Sequence, residues 1–474
     1  MDYPDIDEGI ICESPYLFQE PTLYFSSYGG GYEGNKSKII GLTNNDPFDV
    51  NTDNRSFDKI KILPVVPNDK NIQKAIMQVL NRLQDNIWEY NSRKYGFSDL
   101  FSCELEFLPK DSWYFVNKFS RAEYERKGKT ITDQNDFRER NTRNIVLYIT
   151  HTSSSNRTEL DKSEYFGMKQ ALVQGFIPSQ SLSTSQGGII AKAKTHNLKG
   201  FSLVNLASQI YAKVGGVPWA LKQPDDETYA EVNIGIRAGI PKKEDSNYIY
   251  GVAQIFSKDG KWIDAAIESE EQPIESKSYE LSKEAMKELL NKSIQKYLNK
   301  IQANTPLEGL KRVNIHKPKG FSQSEINAVK EFSNNTDADY SLIGISKSKV
   351  RLYSREDEEV GNIRRGYFKK INQNAGILCT TGDHENPFGR GIKEHKMGTP
   401  VPLLVQVVNE EEFVVPPIEN VAYHVFVMTR LNWGDVLSKE VSEPVTLHYA
   451  QKVAKMAANG IEVKKINEDI PWFL

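Results

Sequence analysis

The chain has 474 residues, of which 39% are hydrophobic and 26% are charged. This length exceeds what one hydrophobic core usually supports, so two or more domains are expected, and no apolar run is long enough to span a membrane. The 60 basic and 63 acidic residues give a net charge of −3, which excludes an overall basic coat, so a nucleic-acid-binding protein of this composition must concentrate its positive charge in a channel.

The start of the chain is acidic, and cysteines are few. The first residues, MDYPDIDEG, lack a basic start followed by an apolar core, so no signal peptide is expected and a cytoplasmic location is predicted. Cys12, Cys103 and Cys379 show no C-x-x-C spacing, and the seven histidines show no H-x3-H pair. Neither a disulfide framework nor a histidine zinc site is therefore predicted.

Residues 1–58 are predicted to form an extension packed on the rest of the chain, with strand-like aromatic runs at 16–18 and 23–28. The glycines of residues 29–34 match the G-x-G-x-x-G spacing of dinucleotide-binding loops. A true fingerprint opens a helix. Residues 35–40 are instead predicted to be a turn and then a strand, so the match is interpreted as coincidental.

From residue 60 the pattern alternates between strands and helices. Strands are predicted at 60–64, 105–108 and 145–149, the last of them central, and a helix at 72–90 places Ile76, Leu80 and Leu83 on one face. Such alternation predicts a mostly parallel sheet with helices on both of its faces.

The next predicted helix carries a tyrosine and a lysine. It opens at Asp161 with the spacing of a capping box and runs to about Gln174, so Tyr165 and Lys169 lie one turn apart on one face. A phenol beside an ammonium group can hold a phosphate and stack a base, and the loop that follows supplies the amide of Gln180. The same pair of residues is also common on ordinary helix surfaces.

A second amphipathic helix ends at Gly215 and Gly216, as glycine does at a left-handed helix end. Its polar face carries Asn205, Gln209 and Lys213. Its core stripe consists of Leu203, Leu206, Ile210 and Val214. A polar row that ends in a lysine suggests a helix that binds an anion, but taken alone this segment is better explained as an ordinary helix with a solvated lysine.

A second strand-and-helix unit begins near residue 230. Residues 232–236 and 248–256 are predicted to form an antiparallel pair, residues 262–268 a third strand, and residues 280–302 a long helix.

In order and spacing these segments resemble the Argonaute family. Tyr165, Lys169, Gln180, Gln209 and Lys213 match a set with which the family's Mid domain holds the 5′ phosphate of a guide strand, and AKVGGVPW looks like the start of the Piwi domain. Residues 398–403 look like a family strand, residues 429–433 are similar to its closing strand, and residues 443–450 to its last helix. Together these five motifs make the resemblance specific over roughly residues 59–474.

The resemblance implies an α/β fold in which a Mid domain with a Rossmann-like parallel sheet is joined to a ribonuclease H-like Piwi domain. We expect an N-terminal extension at 1–58, the Mid domain at 59–204 and the Piwi domain at 205–474. The chain then looks like a short prokaryotic Argonaute, with no room for the N and PAZ domains of the long forms.

The resemblance also implies a site for the guide end. Tyr165, Lys169, Gln180 and Lys213 are expected to hold the 5′ phosphate. In the family a divalent cation shares this phosphate with the C-terminal carboxylate, so Mg²⁺ is expected with Gln209 and the carboxylate of Leu474 as ligands. A tail that merely docks its apolar end on the core explains the last residues equally well.

Two substitutions predict that the chain does not cut nucleic acid. Active Piwi domains carry a metal-binding Asp in an I-G-I-D strand, and here Arg237 stands at that position. The family's second Asp lies in an R-D-G turn, which is replaced here by Lys-Pro-Lys-Gly at residues 317–320. Because arginine cannot ligate a cation, the cleft is interpreted as a groove that holds a duplex, with Arg237, Lys317 and Lys319 facing phosphates.

The predicted function is guided recognition without cleavage. A 5′-phosphorylated guide, expected to be RNA, would pair with a complementary strand, expected to be single-stranded DNA. Inactive short Argonautes work with a partner whose APAZ region is fused to a TIR, sirtuin-like or nuclease effector, so a heterodimer that defends against plasmids or phage is expected. Two alternatives stay open: a guide-directed nuclease with a displaced carboxylate set, and a scaffold that no longer binds a guide.

Overall fold

The computed structural model describes residues 16–27, 30–51, 55–134, 141–151, 164–222, 230–240, 248–271, 279–302, 310–356, 359–385, 392–393, 399–436, 443–459, 461, 471 and 473. Within this described part, no helix combines the length and the apolar character needed to cross a membrane.

Three strands and a short helix precede residue 58: β1 (Tyr16–Leu17), β2 (Leu23–Ser26), β3 (Tyr32–Asn35) and α1 (Lys38–Asn44). Gly30 and Gly31 have positive φ in the turn that joins the antiparallel strands β2 and β3, so these glycines form a hairpin. The strand predicted after them is wrong. Ser37 caps α1 instead, because its side chain accepts a hydrogen bond from the N–H of Ile40.

A parallel sheet organises the next 150 or so residues. The elements in chain order are β4 (Lys59–Pro67), α2 (Lys70–Asp85), β5 (Trp88–Tyr90), β6 (Arg93–Tyr95), α3 (Phe97–Phe101), β7 (Glu104–Phe107), β8 (Tyr114–Val116), α4 (Arg121–Asp133), β9 (Thr142–Thr150), α5 (Glu164–Gln174), β10 (Ser179–Ser183), α6 (Ile189–Lys194) and α7 (Gly200–Lys213). The strand order is β10-β9-β4-β7, with β8 also beside β4, and all of these pairs are parallel. This confirms the predicted parallel sheet and the interior position of β9.

The helix predicted at 72–90 is shorter than expected. Its apolar stripe is buried as predicted, but α2 ends at Asp85, and β5 then pairs antiparallel with β6. Asn91 and Ser92, between these two strands, both have positive φ. The chain therefore reverses where the apolar periodicity alone predicted that the helix continues. The periodicity is misleading here because the aromatic residues of β5 occupy positions that also suit a helix.

A nine-stranded mixed sheet dominates the rest of the chain. The elements are β11 (Ala220–Leu221), β12 (Val232–Gly239), β13 (Tyr248–Ser257), β14 (Trp262–Glu271), α8 (Lys283–Gln302), β15 (Arg312–Pro318), α9 (Gln323–Ser333), β16 (Asp339–Lys347), β17 (Tyr353–Glu356), β18 (Glu359–Asn362), β19 (Tyr367–Asn372), β20 (Ala375–Leu378), β21 (His384–Glu385), β22 (Ile392–Lys393), β23 (Leu403–Val407), α10 (Ile418–Met428) and α11 (Val445–Ala458). The sheet order is β1-β19-β20-β23-β16-β15-β12-β13-β14. The antiparallel meander of β12, β13 and β14 confirms that part of the predicted ribonuclease H-like fold.

Two strand predictions near the end of the chain need correction. Thr429–Leu431 is a 3₁₀ helix rather than a closing strand, because it continues directly from α10 and the Thr429 hydroxyl donates to the Phe426 carbonyl at 2.6 Å. The strand predicted at 398–403 begins only at Leu403, after two prolines that lack the N–H a sheet requires. Gly398 itself lies outside the described residues.

The two large sheets share one hydrophobic core. The main cluster of buried residues includes Phe25 of β2, Ile62 of β4, Leu203 of α7, Val405 of β23 and Phe473 near the C-terminus. Smaller clusters lie beneath α4 and α5 and beneath α8 and α9. The segment before residue 58 contacts both halves, since β1 pairs with β19 and β2 with β11, and the guanidinium of Arg143 on β9 donates to the Ser56 hydroxyl at 2.6 Å.

Candidate anion-binding site and the cleft of the larger sheet

Helix α5 places Tyr165 and Lys169 on one face, as the spacing predicted. Lys169 is 1% exposed, and its Nζ donates to the Ser179 carbonyl at 3.0 Å and lies 6.0 Å from the ring centroid of Tyr165. Burial raises the pKa of Tyr165 to about 12, which keeps the phenol protonated and able to donate. The predicted cap, Asp161, lies outside the described residues, and α5 begins at Glu164.

Lys213 is the last residue of α7 and reaches the same carbonyl. Its Nζ donates to the Ser179 carbonyl at 2.9 Å and to Gln180 Oε1 at 2.6 Å. A lysine at a helix C-terminus is favoured by the negative end of the helix dipole. Gly215, with φ of +102°, follows the end of α7 as predicted. Three predicted residues, Lys169, Gln180 and Lys213, therefore meet at the start of β10.

A third lysine, Lys452 of α11, joins this group and was missed by the sequence analysis. Burial, with a contribution from Lys455, lowers the pKa of Lys452 to about 8. Its charge in turn helps to lower the pKa values of Lys169 and Lys213. The signal that could have found it is weak: Lys452 lies one turn after His448 in the last helix, and nothing in the sequence links that helix to α5.

We call Tyr165, Lys169, Gln180, Lys213 and Lys452 the lysine cluster. Burial is the first cause that lowers the pKa of Lys169, to about 7, and it lowers the pKa of Lys213 well below its usual value. Among the described residues, the recorded partners of Lys213 are neutral oxygens and no carboxylate. Neutral oxygens do not balance the desolvated ammonium group of Lys213, whereas a phosphate would both raise its pKa and accept charge-assisted hydrogen bonds.

The other polar residues of α7 bind a protein loop. Asn205 Oδ1 accepts from the Val436 N–H at 2.9 Å, and Gln209 Nε2 donates to the Gly434 carbonyl at 3.0 Å. These contacts tie the loop after α10 to α7. The polar face predicted from helical spacing is therefore divided between loop binding and the lysine cluster.

Only part of the predicted magnesium site lies within the described residues. The oxygens at the start of β10 already accept from ammonium groups, and neighbouring positive charges oppose a cation there. No group of three or more His, Cys, Asp or Glu side chains in the described part could hold a metal ion. The second predicted ligand, Leu474, lies outside the described residues, so the magnesium site stays a prediction.

Arg237 occupies the first predicted catalytic position, on β12, and it is paired. Its guanidinium forms an ion pair with Glu443, and its Nε donates to the Leu447 carbonyl at 3.1 Å. The side chain of Arg237 is only 15% exposed. Arg237 thus fastens β12 to the start of α11, and a carboxylate already neutralises its charge.

Lys317 occupies the second catalytic region and is also neutralised. Its Nζ lies 3.1 Å from a carboxylate oxygen of Glu325, which is fully buried and belongs to the capping box of α9. Lys319 is exposed, has a left-handed φ of +64°, and holds its Nζ 5.8 Å from the ring centroid of Tyr279. Of the three residues predicted to face phosphates, Lys319 alone is exposed, and the groove role of all three stays a prediction.

Helix α11 carries a basic line between the two regions. Burial lowers the pKa of His448 to about 3, and the positive charges of Lys452, Lys455 and Arg237 contribute in the same direction. These groups are therefore electrostatic neighbours. The line consists of Lys452 and Lys455 on α11 and Arg237 on β12, and His448 beside them is neutral at pH 7.

Comparison with known proteins identifies the fold. The family model described as Piwi domain matches residues 177–462. A curated relative, the protein argonaute of Aquifex aeolicus, is 26% identical over 312 residues, which are 65% of this chain and 38% of that protein. The solved structure of Clostridium butyricum Argonaute, bound to a guide DNA and a 19-mer target DNA, has a TM-score of 0.69 at 16% identity over 97% of this chain and 55% of that chain. The structure of Aquifex aeolicus Argonaute has a TM-score of 0.60 at 19% identity over 97% and 57%.

The chain spans about two fifths of the length of this curated relative and a little over half of these solved chains. The matched region includes Gln180, Lys213 and Lys452 but begins after Lys169, within the parallel-sheet region rather than at residue 205. Since the Piwi model covers more than half of the chain, and the fold is shared with Argonautes over nearly all of it, the chain belongs to the Piwi domain family and is an Argonaute-type protein.

Proposed function

We propose that this chain binds the 5′-phosphorylated end of a guide strand in the lysine cluster and uses that guide to recognise a complementary strand. The observation that carries the proposal is the convergence of Lys169 and Lys213, from two different helices, on the Ser179 carbonyl at the start of β10, with the charge of Lys452 near enough to lower the pKa values of both. A terminal phosphate carries more charge than an internal phosphodiester, so it matches several desolvated ammonium groups best.

The guide continues along α11 towards the cleft of the larger sheet. The two lysines of this basic line, Lys452 and Lys455, would follow its backbone, while the bases stay free to pair with the target. Pairing would supply the sequence specificity, and the protein would contact the backbone. From the family resemblance we propose an RNA guide and a single-stranded DNA target.

The lysine cluster predicts a preference for a 5′ phosphate. We expect the protein to bind a 5′-phosphorylated guide at least about 100-fold more tightly than the same guide with a 5′ hydroxyl, because each charge-assisted hydrogen bond contributes roughly 1.5–3 kcal/mol. Lys169→Ala with Lys213→Ala should abolish most of this preference. The measurement is fluorescence anisotropy with RNA and DNA guides in parallel.

The matched control for that experiment is Lys94→Ala with Lys311→Ala. Both lysines are exposed and lie outside the lysine cluster. The control should keep the preference for the phosphate. Equal affinity of the unsubstituted protein for both guide ends would refute the assignment of the lysine cluster.

We further propose that the chain does not cut the target. The resemblance puts Arg237 at the position of the family's first metal-binding Asp and residues 317–320, which contain no carboxylate, at the turn of the second, and Arg237 and Lys317 are each held by a carboxylate of their own. Guide-loaded protein should leave a complementary labelled target intact on a denaturing gel with Mg²⁺ or Mn²⁺. Guide-dependent cleavage at a single position, lost on chelation, would instead support the alternative of a nuclease with a displaced carboxylate set.

The remaining parts of the proposal rest on the family resemblance alone. They are an APAZ-effector partner of the TIR, sirtuin-like or nuclease type, a heterodimer that acts in defence against plasmids or phage, and a magnesium ion held by Gln209 and the Leu474 carboxylate at the guide phosphate. Co-expression with the products of neighbouring genes tests the partner, since the complex should copurify and its effector should respond only to guide and target together.

A further inference from the structure

A second basic surface lies along helix α2. A groove of about 490 Å³ is lined by seven residues of α2 and by Lys110 of the following 3₁₀ helix. Four of its eight lining residues are cationic, namely Lys70, Lys74, Arg82 and Lys110; the others are three amides and Met77. No residue of the lysine cluster lines this groove.

The groove concentrates positive charge. Several other surface lysines pair with carboxylates, for example Lys59 with Glu104 and Lys129 with Glu125. By contrast, no acidic residue lines the groove, and Lys70 and Lys74 form no ion pair with any described residue. Like charges four residues apart on a helix are destabilising, so this arrangement works against the stability of α2 rather than for it.

The cations form a row rather than a point. An α-helix rises 1.5 Å per residue, so Lys70 and Lys74 are separated by about 6 Å along the axis, and Lys70 and Arg82 by about 18 Å. Arg82 is anchored, because its Nη1 donates to the Leu198 carbonyl at 2.5 Å. Lysine stems and Met77 give the groove an apolar floor, and its amides add hydrogen-bonding groups.

We propose that this groove binds the phosphodiester backbone of a single-stranded nucleic acid, independently of the strand's 5′ end. A row of cations with no acidic residue in its lining matches the repeating charge of a linear polyanion, whereas a single small anion would engage only part of it. The proposal goes beyond guide-end binding, because none of the groups involved belongs to the lysine cluster.

The test uses a 3′-labelled oligothymidylate with a 5′ hydroxyl, so that the lysine cluster is given no terminal phosphate. We compare Lys70→Glu/Lys74→Glu with a control of equal charge change, Lys94→Glu/Lys311→Glu, all four of these lysines being exposed. The groove variant should bind at least about 10-fold more weakly at low salt, and its plot of log affinity against log salt should be shallower by about 1.4, at roughly 0.7 per lost phosphate contact on a single strand. The control should stay within about twofold of the unsubstituted protein, as expected for screened charges far from the strand. Equal thermal midpoints of the two variants establish that both are folded.

Three outcomes overturn the proposal. They are equal weakening in both variants, which indicates a long-range effect of net charge; unchanged binding in the groove variant; and competition by polyglutamate as effective as that by unlabelled oligothymidylate, which indicates a site for an acidic polypeptide. The ratio of affinities for 5′-phosphate and 5′-hydroxyl guides is measured separately, so failure of the lysine cluster and failure of the groove are distinguishable.

Discussion

Lys452 is the residue of the lysine cluster whose role is easiest to isolate. It comes from α11, far along the chain from Lys169 and Lys213, yet its charge lowers the pKa values of both. Burial lowers its own pKa to about 8, below the value near 10.4 of an unfolded lysine. Its positive charge therefore costs stability in the free protein at neutral pH and is useful only when an anion binds.

Replacing Lys452 with Met should separate stability from binding. At pH 7 we expect the free variant to unfold at a higher temperature, by on the order of 1 kcal/mol in the free energy of unfolding, because a desolvated charge and its repulsion of two neighbours are removed. Affinity for a 5′-phosphorylated guide should fall about 10-fold, at roughly 1.4 kcal/mol per factor of ten. Calorimetry and anisotropy measure the two effects, and a variant that loses both stability and affinity would contradict this account.

Two ion pairs join strands to helices at the two positions where the family resemblance predicts the metal ligands of a catalytic Piwi cleft. Arg237 connects β12 to α11 through Glu443, and Lys317 connects the end of β15 to α9 through Glu325. Both links cross between a strand and a helix. At these positions, where the family resemblance predicts that metal-binding carboxylates are lost, ion pairs fasten helices to the sheet.

Removing one partner of the first ion pair should lower the free energy of unfolding more than replacing both partners does. Glu443→Gln leaves the largely buried guanidinium of Arg237 without its counter-charge and should lower the free energy of unfolding by about 2–3 kcal/mol, towards the lower end for buried pairs. The double variant Arg237→Met/Glu443→Gln should recover most of this loss. Urea denaturation measures both.

The control is Glu331→Gln, which removes the partner of Lys283 and Lys287 at a half-exposed site. Exposed ion pairs contribute up to about 1 kcal/mol, so this variant should change little. If the Glu443 and Glu331 variants lose the same stability, Arg237 is not a structural link.

At the scale of the whole molecule, residues before position 58 are fastened to the half of the chain that contains the larger sheet. Glu20 forms ion pairs with Arg365 at 2.6 Å and Arg430 at 3.3 Å. Lys38, which is 1% exposed, donates to the Asp435 carbonyl at 2.6 Å, in the loop that α7 also binds. These contacts form a frame that fixes the segment before residue 58 to the larger-sheet half of the chain.

Glu20 gives this frame a defined pH dependence. Burial acts to raise its pKa, but Arg365 and Arg430 outweigh burial and lower it to about 2. Because this is below the unfolded value near 4.3, the contribution of Glu20, about 3 kcal/mol, is complete above pH 4.3 and is lost as the pH falls towards 2. The free energies of unfolding of Glu20→Gln and of the unsubstituted protein should therefore differ more at pH 7 than at pH 3. An equal difference at both pH values would show that the ion pairs of Glu20 contribute nothing to stability.

The sequence by itself determined the features that depend on neighbouring residues. Helical spacing placed Tyr165 and Lys169 on one face of α5 and Lys213 at the end of α7, and alternation of strands and helices predicted the parallel sheet. These features follow from backbone periodicity and local capping, which a short stretch of chain carries within itself. Where a local signal was overlooked, as with the Ser37 cap of α1, the prediction was wrong.

Only the tertiary structure decided which side chains meet. Lys452 joins the lysine cluster from 239 residues beyond Lys213, Gln209 binds the loop at Gly434, and Glu443 neutralises Arg237. No periodicity connects positions so far apart, because their proximity follows from how the two sheets and α11 pack on a shared core. Whether a polar side chain faces an anion, a backbone carbonyl or a counter-charge is therefore fixed by packing, since burial and neighbouring charges set its charge state and its available partners.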